Sequence, residues 1–168
     1  MRLTREDFET CRERALNLLD RRAHSAGEIR VKLLARGFEE ALVVLVVDDL
    51  LRSGLVNDLY FAIALCQERL RGSRPAGPAR LKADLQRRHV PADIAEQAVH
   101  AALAEAGVDA EFEAALTAGR TKWTALRRRA GQDVRQDRER LLRFLAGRGF
   151  GFDLGKRVLE RLERGGEN

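Results

Sequence analysis

The sequence has few of the residues on which several classes of protein depend. Its 168 residues include two cysteines, three histidines and one tyrosine, which excludes a zinc module built from cysteine pairs and a disulfide framework. Aromatic residues make up 5% of the chain, too few for the stacking platforms of many single-strand-binding proteins. Valine and isoleucine do not alternate with polar residues over any length. The abundance of Ala, Leu, Glu and Arg instead predicts an all-helical protein.

Long apolar runs are also absent. The longest, residues 41–47, has seven residues and ends at Asp48 and Asp49, whereas a membrane-spanning helix needs about 20. The first residues lack the apolar stretch of a secretory signal. We therefore expect a cytoplasmic protein without a membrane segment.

Positive charge is concentrated in the last third of the chain. The whole sequence has 31 Lys and Arg residues against 26 Asp and Glu residues, a net charge of +5. Residues 112–168 hold 14 of the basic and 8 of the acidic residues. Two interpretations stay open: a solvated basic face, or a surface for a polyanion or an acidic partner.

Capping boxes and glycines mark out the first helices. Residues 4–7 and 25–28 each place a hydroxyl side chain three positions before a carboxylate, which is typical of a helix start. Apolar residues then recur three and four positions apart, and Gly37 and Gly54 follow the apolar stripes as helix ends. Residues 1–58 are therefore predicted to form three short helices.

The apolar pattern recurs around three anchor residues, Phe38, Val90 and Phe150, which are 52 and 60 residues apart. Apolar residues lie nine and five positions before each anchor, and four and nine positions after it: Ile29, Leu33, Leu42 and Val47; Leu81, Leu85, Ile94 and Val99; Leu141, Leu145, Leu154 and Leu159. The residue before each anchor is where a helix should end: Gly37, His89 and Gly149.

This recurrence predicts three tandem three-helix repeats, at 1–58, 59–108 and 109–168. Units of this size bury little surface alone, so we expect them to stack on their neighbours in an elongated, curved arrangement. Two loops should interrupt the pattern. Residues 71–78 are rich in turn formers, and residues 127–138 are strongly basic and expected to be mobile.

No catalytic or metal-binding constellation is recognisable. The three histidines lie in different helices or turns, never at the spacing of two ligands on one helix face. Residues 148–152 match the start of an RNA-binding signature that needs a β-sheet, so repeat packing is favoured there. For Trp123 a core anchor is favoured, with a partner contact as the alternative. We expect no enzyme activity, no metal and no cofactor.

Several motifs match one known family in order and spacing. They are Ser-x-x-Glu-Ile-x-x-Lys-Leu-x-x-x-Gly-Phe at 25–38, Gly-Leu-Val-Asn-Asp at 54–58 with Phe61-Ala62, Gly-Pro-x-Arg-Leu-x-x-x-Leu at 77–85, and Phe-Leu-x-x-Arg-Gly-Phe at 144–150. With these residues the sequence resembles the RecX family of bacterial regulators of the RecA recombinase. It departs from the family pattern at His89-Val90 and at the inserted Pro75-Ala76, which puts the local loop geometry in question.

The resemblance implies a function in DNA repair, homologous recombination and the SOS response. Such proteins are similar in fold, bind RecA and its filament on single-stranded DNA, and suppress ATP hydrolysis and strand exchange. They need no cofactor, and we expect a monomer that binds single-stranded DNA weakly by itself. The residues expected to contact DNA phosphates or acidic patches on RecA are Lys122, Arg127, Arg128, Arg129, Arg135, Arg138, Arg140, Arg143 and Arg148.

A second function class stays open from the sequence alone. Three-helix units can resemble helix-turn-helix modules, so the alternative is a DNA-binding protein that acts without RecA. Tight, sequence-specific binding to DNA would favour that alternative.

Overall fold

The computed structural model describes residues 3–128 and 133–165, and all regular secondary structure in these ranges is helical. The predicted all-α class is therefore confirmed. Nine helices follow one another in this part of the chain: α1 (Arg5–Leu19), α2 (Ala26–Leu34), α3 (Glu40–Arg52), α4 (Asp58–Arg71), α5 (Pro78–Gln86), α6 (Ala92–Ala106), α7 (Ala110–Arg127), α8 (Val134–Gly147) and α9 (Phe152–Arg164).

The chain separates into two compact units. One comprises residues 1–62 and 85–97, and the other residues 63–84 and 98–168. The middle helices α4, α5 and α6 each contribute residues to both units. The division into repeats at 1–58, 59–108 and 109–168 remains a prediction from the sequence pattern.

Both predicted capping boxes are present at the starts of α1 and α2. The amide of Asp7 donates to the Thr4 hydroxyl at 3.1 Å, and the amide of Thr4 donates to the Asp7 carboxylate at 3.0 Å. Ser25 and Glu28 exchange the same two bonds at 3.0 and 3.3 Å. Each box satisfies two amides that the helix itself leaves unpaired.

The first unit contains an apolar core between α1, α2 and α3. Each helix contributes one stripe, as the spacing of apolar residues predicts. The residues of this core are Cys11, Ala15, Ile29, Leu33, Leu42, Val43, Val46, Val47, Leu50 and Val56. Burial of this much aliphatic surface is the main stabilising term for the unit.

The three anchor turns have the same hydrogen bond. In each, the amide of the anchor donates to the carbonyl five residues earlier: Phe38 to Leu33 at 3.4 Å, Val90 to Leu85 at 3.1 Å, and Phe150 to Leu145 at 3.2 Å. This bond closes a helix end in the manner of a Schellman motif. The accepting leucines are buried in all three turns.

The residue before each anchor has the left-handed conformation that this motif needs. Its φ is 86° at Gly37, 56° at His89 and 86° at Gly149. His89 is the one non-glycine residue with positive φ in the described ranges. The departure from the family pattern at His89 therefore changes the residue but not the conformation, at a cost of roughly 1 kcal/mol relative to glycine.

The repeated apolar positions are mostly buried. All positions nine and five before the anchors are buried, as are Leu42, Val47 and Val99 after them. Ile94, Leu154 and Leu159 are only half-buried. In the third repeat the buried residues are instead Gly155, one position after Leu154, and Val158, one position before Leu159.

The first predicted loop is confirmed, and the second is wrong in part. Helix α4 ends at Arg71 and α5 begins at Pro78, as expected. The predicted loop at 127–138 is helical from Val134 onward. Asp133 caps this helix by accepting a hydrogen bond from the amide of Arg135 at 2.9 Å, and its role as a cap was missed in the sequence.

Two glycine turns approach each other closely within the second unit. The amide of Gly77 donates to the carbonyl of Arg148 at 2.8 Å, and the amide of Ala79 donates to that of Gly149 at 3.3 Å. A side chain at Gly149 would collide with the backbone amide of Arg80, and one at Gly77 with the carbonyl of Gly149. Only glycine fits at these two positions.

We expect Gly149→Ala to lower the free energy of unfolding by about 3 kcal/mol, because it adds both left-handed strain and a backbone collision. Gly37→Ala adds only the strain, since nothing lies near its added Cβ, and should cost about 1 kcal/mol. Gly147→Ala, in open space at the end of α8, should be neutral or slightly stabilising. Urea unfolding of the three variants measures this order, and equal losses for Gly149 and Gly37 would contradict it.

Candidate nucleic-acid interface

The predicted contact residues lie on or next to two helices of the second unit. Arg129 lies outside the described residues. The others are placed as follows: Lys122 and Arg127 on α7, Arg128 at its C-terminal cap, Arg135, Arg138, Arg140 and Arg143 on α8, and Arg148 at the C-terminal cap of α8.

Helices α7, α8 and α9 pack against one another through small and aliphatic residues. Gly119 is buried on α7, and a Cβ there would lie 3.0 Å from Cγ1 of Val158 on α9. The absence of a side chain at Gly119 lets the two helices lie close together. Leu141 and Leu145 of α8 are fully buried in the same region. This packing fixes the positions of the basic side chains at the helix ends.

The arginines of α8 are mostly paired with carboxylates. The pairs are Arg135 with Glu139 at 3.6 Å, Arg138 with Glu163 at 2.6 Å, and Arg140 with Asp137 at 3.4 Å. The bond to Glu163 raises the pKa of the Arg138 guanidinium. The two more exposed pairs, of Arg135 and Arg138, contribute little to stability, so a strong polyanion can displace them. The Asp137 carboxylate is buried, so displacing Arg140 would leave a buried charge without its partner. The charge of these arginines is nevertheless partly neutralised in the free protein.

Lys122 and Arg148 contact the same aromatic ring. The Lys122 ammonium lies 5.7 Å and the Arg148 guanidinium 5.2 Å from the centroid of Phe144, both within cation–π range. Arg148 is half-buried, and its Nη1 donates to the carbonyl of Pro75 at 3.4 Å. The pKa of Arg148 is lowered chiefly by burial, and further by the nearby guanidiniums of Arg69, Arg74 and Arg80. Arg148 therefore has a structural contact in addition to its charge.

A cleft lies at the adjacent C-terminal ends of α7 and α9. Its volume is about 600 Å³. Four arginines line it, and they form no ion pair within residues 3–128 and 133–165: Arg120, Arg127, Arg128 and Arg161. Among the residues that the structure describes, no acidic side chain lines the cleft. We call this set of residues, together with Trp123, Leu116 and Leu162, the Trp123 cleft.

Trp123 forms one wall of this cleft. Its side chain is half-buried rather than part of the core, and the Arg127 guanidinium lies 5.8 Å from its ring centroid. The predicted candidates Arg127 and Arg128 thus come together here with Arg120 and Arg161, which the sequence reasoning missed. The sequence could have indicated Arg120, because it lies three positions before Trp123 and seven before Arg127, which places all three on one helix face. The sequence gives no such indication for Arg161, because it lies on another helix, α9.

Other candidate chemistry finds no support in the described part of the chain. Cys11 and Cys66 are buried and free. Burial, with the nearby Asp84 carboxylate, raises the pKa of the Cys66 thiol to about 11. His24 is buried, its Nδ1–H donates to the carbonyl of Arg22 at 2.9 Å, and burial lowers its pKa. Within residues 3–128 and 133–165 no group of three potential metal ligands comes together.

No helix in the described ranges is both long and apolar enough to span a membrane.

The architecture is that of an all-α protein built from three-helix repeats. Comparison with known proteins agrees. A family model described as the first three-helix domain of RecX matches residues 11–50, and one described as the third three-helix domain of RecX matches residues 109–159.

Individual relatives cover nearly the whole chain. The regulatory protein RecX of Chlorobium limicola is 35% identical over 148 residues, spanning 88% of this chain and 86% of that protein. The regulatory protein RecX of Pseudomonas putida is 33% identical over 150 residues, with 88% of each chain covered. The crystal structure of RecX from Lactobacillus salivarius has a TM-score of 0.80 at 19% identity, covering 95% and 99% of the two chains. This chain belongs to the RecX family.

The pairing of the arginines predicts different contributions to DNA binding. Two double variants remove the same total charge: Arg127→Gln/Arg128→Gln and Arg135→Gln/Arg138→Gln. Arg127 and Arg128 have no carboxylate partner in the described ranges. Their loss should therefore reduce the log–log salt slope for a thymidine oligonucleotide by about 1.4, near 0.7 for each phosphate contact. The Arg135→Gln/Arg138→Gln variant should reduce the slope by less than half as much, because carboxylates already partly neutralise these two arginines. Fluorescence anisotropy over a salt series measures both slopes, and equal reductions would contradict the assignment.

Proposed function

We propose that this protein regulates RecA by binding RecA and its filament on single-stranded DNA, lowering ATP hydrolysis and strand exchange and limiting filament growth. Membership of the RecX family is the observation that carries this proposal, because the similarity to named RecX regulators extends over 88% of the chain. The fold agrees independently, with TM-scores of 0.80 and 0.78 to two RecX crystal structures.

Tandem repeats give a physical basis for this activity. Each three-helix repeat offers its own surface, so one chain can contact more than one subunit of a filament. Linked contacts raise the effective concentration of the second site, and the combined affinity then exceeds either affinity alone. A regulator with weak individual contacts can in this way prefer an assembled filament over free RecA.

We assign the unpaired arginines of the third repeat to DNA phosphates or to acidic patches on RecA. Arg127 and Arg128 are the strongest of the predicted candidates, since no carboxylate in the described ranges neutralises them. Arg135 and Arg138 would exchange a solvent-accessible carboxylate for a phosphate, whereas Arg140 contacts the buried Asp137 and is the weaker candidate. Lys122, Arg143 and Arg148 add positive charge nearby. We further propose action as a monomer in the cytoplasm, where the two free thiols fit a reducing environment.

The alternative of independent, sequence-specific DNA binding gains no support from the third helices of the first two repeats. A recognition helix needs exposed donors and acceptors that reach base edges. Helix α3 exposes Leu45 and Asp48, with Arg52 only at its last position. Helix α6 exposes Gln97 and His100 next to the carboxylates of Asp93 and Glu96. Leucine offers no hydrogen bond to bases, and carboxylates repel the phosphate backbone.

The test is RecA ATP hydrolysis on single-stranded DNA while the full-length protein is titrated in. We expect the rate to fall at less than one copy of this protein per RecA. A plateau at few copies per filament would indicate binding at filament ends, whereas a decline that tracks the molar ratio would indicate binding along the filament. The RecA of the same bacterium should be used.

The control repeats the titration with a several-fold excess of single-stranded DNA. Inhibition that persists reflects an action on RecA or its filament. Inhibition that excess DNA removes would instead mean competition for the strand and would favour the DNA-binding alternative. An unchanged rate at several-fold excess of the protein would contradict the proposal.

A further inference from the structure

The Trp123 cleft combines features that simple packing does not require. Trp123 is the one tryptophan of the chain, yet its side chain is only half-buried. It faces a cleft of about 600 Å³ together with Leu116 and Leu162, so an apolar wall borders open space. Trp123 therefore presents part of an aromatic face to the cleft.

The arginines of the cleft have a partial explanation in the helices. Cations at a helix C-terminus interact favourably with its dipole, and Arg127, Arg128 and Arg161 lie near the C-terminal ends of α7 and α9. Arg120, however, lies in the middle of α7, where the dipole has little effect. The dipole also gives no reason for a half-buried indole at the edge of the cleft. Four guanidiniums around this indole suit a ligand with both anionic and planar apolar parts.

A nucleotide has these parts. Its phosphate matches the planar fork of a guanidinium, and its base offers a flat face that stacks on an indole. The cleft volume lies in the range of small-ligand sites, roughly 300–1,000 Å³. Paired bases of a duplex are stacked on each other and do not present a face to such a wall. An acidic peptide would satisfy the arginines but would offer no aromatic face to the part of the indole that borders the cleft.

We propose that the Trp123 cleft binds one unstacked nucleotide of a single strand, with its base against Trp123 and its phosphates against the arginines around it. Arg161 and Arg120 approach from the two helices and hold the flanking phosphates. This inference deepens the DNA-binding part of the proposed function, but it does not require RecA.

The single tryptophan makes the test direct. The full-length protein is titrated with a short thymidine oligonucleotide and with an abasic strand of equal length, which keeps the phosphates but has no bases. We expect the thymidine strand to quench Trp123 fluorescence and to bind about tenfold more tightly than the abasic strand, in line with the effect of one base–aromatic stack. The abasic strand should bind without quenching.

Variants separate stacking from charge. Trp123→Leu should abolish the tenfold preference for bases while leaving affinity for the abasic strand within twofold, measured by anisotropy of labelled strands. Trp123→Phe keeps an aromatic face and should retain part of the preference. Arg161→Gln should weaken binding of both strands several-fold.

Arg157→Gln is the matched control for Arg161→Gln. It removes the same charge one turn earlier on α9, where the guanidinium lies 5.2 Å from the Phe112 ring and outside the cleft. We expect binding of both strands to stay within twofold of the unaltered protein.

Three results would overturn the inference. Equal affinity for the thymidine and abasic strands, without quenching, would mean a polyanion surface with no base contact. Equally tight binding of free thymidine monophosphate would mean a site for a mononucleotide rather than a strand. Equal losses for Arg157→Gln and Arg161→Gln would mean a general charge effect.

The outcome is separable from that of the proposed function. If Trp123→Leu loses the base preference but still slows RecA, the regulation depends on other contacts and the cleft assignment stands. If the unaltered protein shows the base preference but leaves RecA unaffected, the cleft assignment stands and the proposed function fails.

Discussion

The amide of Phe150 donates to the carbonyl of Leu145, and the equivalent bond at Phe38 and Val90 closes the other two turns. Each bond requires the preceding residue to adopt a positive φ, and each brings a large apolar anchor back toward a buried leucine. The direction in which the third helix of a repeat leaves the second is set at this turn. Glycine adopts the conformation without strain at two of the turns, and His89 adopts it with some strain at the third.

Features that depend on neighbouring residues could be predicted from the sequence. The capping boxes at Thr4 and Ser25 and the helix end at Gly37 rely on contacts within a few positions, and all three are confirmed. The start of α8 was not predicted, because residues 127–138 are mostly polar and have no apolar stripe that would indicate a helix after the cap at Asp133. The half-buried state of Trp123 was missed because an apolar residue on a helix is buried only if a partner helix covers it. Helical spacing alone does not show whether α9 reaches it.

The distribution of charge has more functional meaning than the net charge. Four of the 14 basic residues in the last third lie on α8, and the carboxylates of Glu139 and Glu163 already pair with two of them. The arginines at the ends of α7 and α9 lack such partners in the described ranges and surround the half-buried Trp123. The proposed function requires single-stranded DNA to be distinguished from other polyanions. A site that reads both a phosphate and an unpaired base face provides that distinction, whereas a purely basic surface does not.

Photocross-linking to a RecA filament tests the central claim most directly, namely that the third repeat meets the DNA strand through the ends of α7 and α9. The filament is assembled on single-stranded DNA that carries a photoreactive pyrimidine, the full-length protein is added, and cross-linked peptides are identified by mass spectrometry. The account predicts that the cross-linked peptides come from the segments that contain Trp123 and Arg161. Cross-links confined to residues 3–62, with none in α7 or α9, would contradict it.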